Sequence, residues 1–320
     1  MSPEENPAPW GGRRKKNDNG RPCVSVVIVN WNTCAELARC LESLARHHQE
    51  LTLRILVVDN ASTDGSVEML ENRFPEVELI ANSENVGFAA ANNQAFAALD
   101  QSCGFVLVLN PDIVFTQSTL LTLLGFFAGR PDVHVVTPRV LGPDGRLQRG
   151  CRRRDPVPLA MLGSLSGLSR FFPRSRKLAG YTYGDVPEDR VQEIQAASGS
   201  FIFMRREVLQ SVGGFDERFF MYAEDLDWCL RARKKGFSIY YYPAASVIHQ
   251  RGASSLKRPI RSLWHLHYTA FLYIRKHHRR DYSTLWRAVL YPSLAAHLFL
   301  AVLWAMARAL FTGSKMKENR

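Results

Sequence analysis

VSVVIVNWN, residues 24–32, is a β-branched, apolar run that stops abruptly at Asn-Trp-Asn. Apolar side chains at successive positions, without alternation, mark a strand buried on both faces. Three more such runs follow: ILVVD (55–59), VELIA (77–81) and FVLVL (105–109). Between them, residues 35–47 place Leu37, Leu41 and Leu44 at helical spacing, and helices are predicted at about 66–73 and 88–99. Strand and helix alternating across short polar turns predict an α/β fold, with a mostly parallel Rossmann-like central sheet flanked by helices. Such folds bind ligands in the crevice at the carboxyl ends of their strands. The polar residues at those ends are Asn30-Trp31-Asn32, Asp59-Asn60, Asn82 to Asn85 and Asn110-Pro111-Asp112.

Residues 151–197 interrupt the pattern with CRRRDP, PRSRK and several glycines. It resumes over 198–249 with SGSFIFM, a helix near 206–212, GGFDERFFMYAEDLDWCLRARKKG and the strand SIYYY. No G-x-G-x-x-G follows the first strand and no G-x-x-x-x-G-K-[ST] occurs, so a dinucleotide oxidoreductase and a P-loop NTPase lose their main support. A nucleotidyltransferase would need a loop rich in Gly and Lys or Arg after the first strand, and NWNTCAELA has none.

Certain polar residues carry candidate chemistry. Asp112 leaves the fourth strand after a proline, where it either reaches the crevice or caps the helix TQSTLLTLL. Glu224, Asp225 and Asp227 fall within four residues at the start of a helix. They either decorate a positive helix end or form a cluster that a cation or proton must compensate. Phe215, Phe219, Phe220, Tyr222 and Trp228 around them would shield a general base from water. His249 ends the apolar run ASVI, as a structural imidazole or a ligand. Hard oxygens with one imidazole suit Mg²⁺ or Mn²⁺ better than structural zinc.

The 320-residue chain is 46 % hydrophobic and 22 % charged, a globular composition. Residues 1–250 carry 28 basic and 28 acidic side chains, whereas 251–320 carry 13 and 2, so the +11 excess lies at the C-terminal end. Within that end, AVLYPSLAAHLFLAVLWAMA (288–307) has no charge and is flanked by Arg and Lys. Length near the ~20 residues of a membrane helix, with basic and aromatic edges, predicts association with a membrane surface rather than nucleic acid. Pro292 and His297 favour an interfacial or re-entrant hairpin over a clean span, and a buried hairpin or a homodimer contact are the other uses. Residues 1–22 are expected to be a disordered leader without the apolar core of a signal peptide. Six cysteines without a C-x-x-C pair argue against a zinc ribbon, a thioredoxin-type site or a disulfide-stapled secreted fold, and point to the reducing cytoplasm.

VSVVIVNWN, VVDNASTDGS, NVGFAAANNQA, VLNPDI, GGFDERFFMYAEDLDWCLR and VIHQRGASS follow one another in order. This set resembles family 2 glycosyltransferases of GT-A fold, in the rhamnosyltransferase-like branch. The resemblance covers about residues 23–256, with 151–197 as an acceptor-side insertion; residues 257–320, basic and apolar, are expected to be a membrane-associating helical segment. It implies an inverting transfer from a nucleotide diphosphate sugar, for which dTDP-rhamnose is the first expectation. UDP-galactofuranose and UDP-N-acetylhexosamine are alternative donors, and the acceptor would be a polyprenyl-linked or polysaccharide hydroxyl. Asp59 would contact the base, and Asn30, Asn32, Gly87, Phe88 and Asn92 would line the nucleotide pocket. N-P-D stands where the family's D-x-D falls, so Asp112 would bind metal with His249, and Asn110 would add a weak oxygen ligand. Asp225 would be the base, beside Glu224, with Asp227 orienting the acceptor or a neighbour. Arg152, Arg153 and Arg154 would be available to a lipid diphosphate. No Q-x-x-R-W motif is present, which favours non-processive transfer, and the basic, apolar C-terminus would hold the enzyme at the cytoplasmic face of the membrane. A non-catalytic nucleotide-sugar or glycan-binding protein on the same fold is the alternative, against which the intact Asp112, Glu224, Asp225 and His249 argue.

Overall fold

The computed structural model describes residues 21–156, 171, 180–250, 259–278 and 288–303. The strands are β1 (Cys23–Asn30), β2 (Thr52–Asp59), β3 (Glu78–Ala81), β4 (Phe105–Leu109), β5 (Ile113–Val114), β6 (Val135–Leu141), β7 (Arg152–Arg153), β8 (Gln192–Glu193), β9 (Ala196–Ala197), β10 (Phe201–Arg205) and β11 (Ile239–His249). All but β7 and β9 join one sheet, ordered β3-β2-β1-β4-β10-β6-β11-β5, with β8 also on β11. Pairings among β1, β2, β3 and β4, and between β6 and β11, are parallel. β10 enters antiparallel between β4 and β6.

Every residue of β1 is buried, which is why its sequence shows no alternation. Helix α1 (Cys34–His47) turns Leu37, Leu41 and Leu44 into the core, while α2 (Ser66–Arg73) contributes Leu70. In α3 (Phe88–Ala98), Ala89, Ala91 and Ala95 are fully buried, and their small side chains let the helix approach the sheet closely. Helices α4 (Thr119–Gly129), α5 (Arg206–Val212) and α6 (Glu224–Lys234) follow. Helix α7 (Pro259–His277) and a helix over residues 288–303, α8, close the described chain.

The structure departs from the sequence expectations at certain places. SIYYY and ASVI are one strand, β11, whose register shifts between Tyr242 and Ser246. Pro243 has no N–H for the ladder, so the chain bulges there and resumes. Cys23 and Cys103 form a disulfide across 80 residues, with Cα atoms 4.5 Å apart, because β1 and β4 are neighbours. Cys34, Cys40, Cys151 and Cys229 are free. Among the described residues no helix is long and apolar enough to cross a membrane. Residues 304–307 of the apolar stretch, most of the 1–22 leader, and 157–170 and 172–179 of the expected insertion lie outside the described residues.

Candidate active site

Parallel register places Asn30 directly beside Asp59 at the carboxyl ends of β1 and β2. Both are buried. The Asn30 amide donates to Asp59 Oδ2 (2.8 Å), and the Ser62 N–H donates to Asp59 Oδ1 (2.8 Å). Thr33 donates to Asn30 Oδ1 (2.6 Å), and the Asn32 N–H donates to Ser62 Oγ (2.8 Å). Asn32 and Ala61 hold φ of 53° and 61°, so two left-handed turns aim this corner. Asn is among the residues that tolerate that region; Ala is not.

Gly87 lies at the start of α3, where the Asn60 amide donates to its carbonyl (3.2 Å). Its φ is +91°, and a Cβ there would fall 2.7 Å from both the Phe220 ring and the Phe220 carbonyl. The next residue, Phe88, donates its N–H to that carbonyl (2.8 Å). Asn92 is fully buried, donates to the Phe88 carbonyl (2.8 Å) and leaves its Oδ1 without a partner among the described residues.

Antiparallel pairing of β5 with β11 sets His249 opposite Ile113, next to Asp112. His249 Nε2 stands 3.0 Å from Asp112 Oδ1 and 3.5 Å from the Asn110 amide. Gln148 fixes the ring: its Nε2 donates to the His249 carbonyl (2.7 Å), and its Oε1 therefore faces Nδ1 (2.8 Å). Nδ1 must then carry the proton, which leaves the Nε2 lone pair of a neutral ring facing a carboxylate oxygen. That opposition is relieved either by protonating the ring or by a cation between the two. Two donors 3.0 Å apart are spaced as neighbours around an octahedral cation with ligands at about 2.1 Å. The donor set is hard oxygen plus imidazole, and Asp112 Oδ1 is otherwise buried without a hydrogen bond, so these residues fit a divalent metal. They form a two-residue set; among the described residues no three His, Cys, Asp or Glu side chains cluster for a metal.

Glu224 and Asp225 open α6, after Tyr222 and Ala223 at φ of 71° and 62°. Strained backbone of this kind persists where surrounding structure holds it. Asp225 Oδ2 accepts from Arg153 Nη2 (2.7 Å) and from the Gly199 N–H (2.7 Å). Arg153 also donates to the Ala197 carbonyl (2.6 Å). Glu224 is buried, and its Oε2 has no partner among the described residues. Burial first, and then the charge of Asp225, push its carboxyl up to about 8.

Phe88, Asn110 and the Glu224–Asp225 pair meet at the turn Ser198-Gly199-Ser200. A Cβ on Gly199 would meet Asp225 Oδ2 at 3.4 Å, the Phe88 ring at 3.4 Å and Glu224 Oε1 at 3.5 Å. The Asn110 N–H donates to the Ser200 carbonyl (3.0 Å). Asn60 joins the Asn30–Asp59 corner to Gly87, Phe88 and the two carboxylates meet at Gly199, and Asn110 bonds Ser200, so the segments adjoin one another.

Asp227 does not join this set. It is fully buried and accepts from Arg231 Nε (2.8 Å), His277 Nε2 (2.6 Å) and Lys276 Nζ. Burial works against its charge, but the hydrogen bonds from His277, Lys276 and Arg231 outweigh it and hold the carboxyl below the ordinary range. Its position ties α6 to α7. The three arginines expected to be available to a lipid diphosphate are also spent inward. Arg152 donates to the carbonyls of Val186 and Pro187, Arg153 holds Asp225, and Arg154 pairs with Asp185 over the Tyr183 ring. Gln148 and Gly199 were not foreseen, since their roles arise from chain segments meeting in space, whereas Ser62 acts within VVDNASTDGS, three residues after Asp59.

Residues 25–213 match Glycosyl transferase family 2, and residues 186–314 match Glycosyl transferase family group 2. The chain is 30 % identical over 307 residues to the N-acetylglucosaminyl-diphospho-decaprenol L-rhamnosyltransferase of Mycobacterium tuberculosis, covering 93 % of this chain and 98 % of that protein. It is 27 % identical over 234 residues to the rhamnosyltransferase WbbL of Escherichia coli, covering 71 % and 83 %. Among solved structures, the mannosyltransferase PcManGT from Pyrobaculum calidifontis, in complex with GDP-Man and Mn²⁺, superposes with a TM-score of 0.53 at 19 % identity, covering 97 % of this chain and 84 % of that one.

Proposed function

The chain belongs to glycosyl transferase family 2, and on that premise we propose that it transfers rhamnose from dTDP-rhamnose to a sugar carried on a polyprenyl diphosphate. The observation that carries this reading is the near full-length match to the M. tuberculosis L-rhamnosyltransferase, whose name gives an N-acetylglucosaminyl-diphospho-decaprenol acceptor. The clustered carboxylates, imidazole and amides support it.

In this reading the acceptor hydroxyl oxygen attacks the anomeric carbon from one face. The bond from that carbon to the diphosphate oxygen breaks on the other, and its electron pair leaves with the nucleotide. The hydroxyl proton passes to Asp225, which the Arg153 ion pair and the Gly199 N–H hold in place. Asn30, Asn32, Asp59, Gly87, Phe88 and Asn92 would cradle the nucleotide. Asp112 and His249 would hold Mg²⁺ or Mn²⁺, and Asn110, whose amide nitrogen faces His249, would add its oxygen as a weak third ligand on turning its amide over. When bound, that ion supplies positive charge to a leaving group that departs as a concentrated anion. Gln148 keeps His249 in the tautomer whose Nε2 can act as a ligand.

The test is transfer from dTDP-rhamnose, UDP-galactofuranose and UDP-N-acetylglucosamine to a synthetic N-acetylglucosaminyl diphosphoprenol, followed by mass spectrometry. Product from dTDP-rhamnose alone is expected. Product only from another donor would replace rhamnose. Asp225→Asn should lower the rate by about a thousandfold or more while donor binding persists, and retained activity would remove Asp225 as base.

A further inference from the structure

We propose that the outward face shared by α7 and α8 docks on an anionic bilayer and lies in its headgroup layer. On α7, Ile260, Trp264 and Tyr268 recur every four residues at 47 %, 56 % and 47 % exposure. On α8, Phe299 and Leu300 are each 63 % exposed. Between the helices runs an open groove of about 860 Å³, lined by Ile260, Arg261 and Trp264 on one side and Leu298, Phe299 and Val302 on the other. A contiguous apolar surface of this kind marks an interaction site.

The occupant follows from charge and side-chain type. Residues 251–320 carry 13 Lys and Arg against 2 Asp and Glu. Of these, Arg261 lines the groove, and a second copy meeting this face symmetrically would bring the two Arg261 guanidinium groups together, whereas anionic lipid complements them. Trp264 and Tyr268 stack nearly parallel, with centroids 6.4 Å apart, and are the ring types that settle at a membrane–water boundary. Among the described residues no helix is long and apolar enough to cross a bilayer, and apolar side chains exposed along one face of a helix suit the headgroup layer.

The remaining faces hold this surface to the catalytic domain. Ile274 packs with Leu290 and Leu294, and His267 meets His297 at 2.7 Å. Lys276 bonds Asp216 (2.7 Å) and Asp227, His277 bonds Asp227 (2.6 Å), and His265 stacks on Phe220 (4.7 Å). Arg261, beside the groove, also sits over the Phe220 ring (5.5 Å). Phe220 in turn packs on Gly87 and bonds Phe88, which borders the carboxylates at Gly199. A docked bilayer would therefore lie beside the Phe220 segment, which borders Gly87 and Phe88. The docking does not rest on the polyprenyl-linked acceptor proposed above.

Flotation of the full chain with vesicles tests the proposal, comparing phosphatidylglycerol mixed into phosphatidylcholine with phosphatidylcholine alone. Binding to the anionic vesicles should exceed binding to the neutral ones by about tenfold and weaken with salt. Trp264→Ser with Phe299→Ser should reduce it by at least about tenfold, while thermal melting stays unchanged because both side chains are exposed. No binding of the unaltered chain, or equal binding by the double variant, would overturn the proposal. So would a concentration-dependent dimer that the same substitutions dissolve, since a second copy would then be the occupant. A donor-induced rise in melting temperature reads the transferase assignment separately: its absence with vesicle binding intact would overturn that assignment and leave docking supported.

Discussion

Glu224→Gln should stabilise the protein, and by an amount that grows with pH. The Glu224 carboxyl is buried, has an unpartnered oxygen and stands beside the Asp225 charge, which raises it from 4.5 to about 8. An acid raised on folding leaves stability intact below about 4.5, where both states hold the proton. Stability is lost as pH climbs from there to about 8, because the unfolded chain ionises freely and the folded one does not. At neutral pH the span above 4.5 is about 2.5 units, a ceiling of roughly 3 kcal/mol at 1.36 kcal/mol per unit. Gln removes the titration but brings two N–H donors that need partners, so a net gain of about 1–2 kcal/mol is expected. For a chain of this size that corresponds to a rise of about 2–8 °C in melting temperature. The assay is thermal unfolding of both proteins across a pH series, followed by circular dichroism. The difference should be lowest at about pH 4.5, where the cost of the amide donors stands alone, and largest at about pH 8. An equal difference at both ends, or a loss at the upper one, would refute the reasoning, since the buried carboxyl would then not be the source of the penalty.

Asp227→Asn should destabilise by roughly 3–5 kcal/mol, because it strips a buried partner from Lys276, His277 and Arg231, and should leave donor affinity unchanged. Urea midpoints and a donor-binding isotherm check both halves, and a stable variant with impaired transfer would move Asp227 into the chemistry. Gln148→Ala should weaken metal-dependent donor binding by about 10–100-fold by freeing the His249 ring, without altering binding in a chelator. Isothermal titration with and without Mn²⁺ reads this, and equal loss in both conditions would refute a role through His249. Gly87→Ala should cost roughly 2–4 kcal/mol from its positive φ and the Phe220 contact, and an unchanged urea midpoint would show that the Phe220 segment yields freely.

The parallel half of the sheet was readable because β1, β2 and β4 are buried runs with polar ends, and those ends are where ligands meet such sheets. The remainder was obscured by proline. β6 contains Pro138 and β11 contains Pro243, and each would ordinarily argue against an inner strand. Pro138 is tolerated because β10 pairs with β6 only at Val135 and Val136, and Pro243 because the register shifts around it. Of the acidic triplet, sequence placed all three residues at one helix start but could not separate their faces. One helical turn carries Asp227 toward Lys276 and His277, while Glu224 and Asp225 stay with Gly199. Arg153 was noticed as a surface cation, and only the folding of β7 against β9 turns it onto Asp225.

That turn of Arg153 gives the carboxylate pair its division of labour. Two adjacent acids sharing a dry site cannot both ionise cheaply, so one must be favoured. Oδ2 of Asp225 takes a guanidinium and a backbone N–H, and Oδ1 takes the Leu226 N–H, whereas Oε2 of Glu224 takes nothing among the described residues. Burial opposes the charge on Arg153, yet the Asp225 carboxylate beside it more than compensates and holds the guanidinium protonated. The hydrogen-bond donors that stabilise a negative charge therefore gather on Asp225, and Glu224 keeps its proton through neutral pH. A proton acceptor needs that charge, and a neighbour already carrying a proton cannot compete for the one released by the acceptor hydroxyl. The same arrangement makes Glu224 the costly member of the pair for folding, so the stability gain from Glu224→Gln and the loss of transfer from Asp225→Asn are two readings of one electrostatic asymmetry.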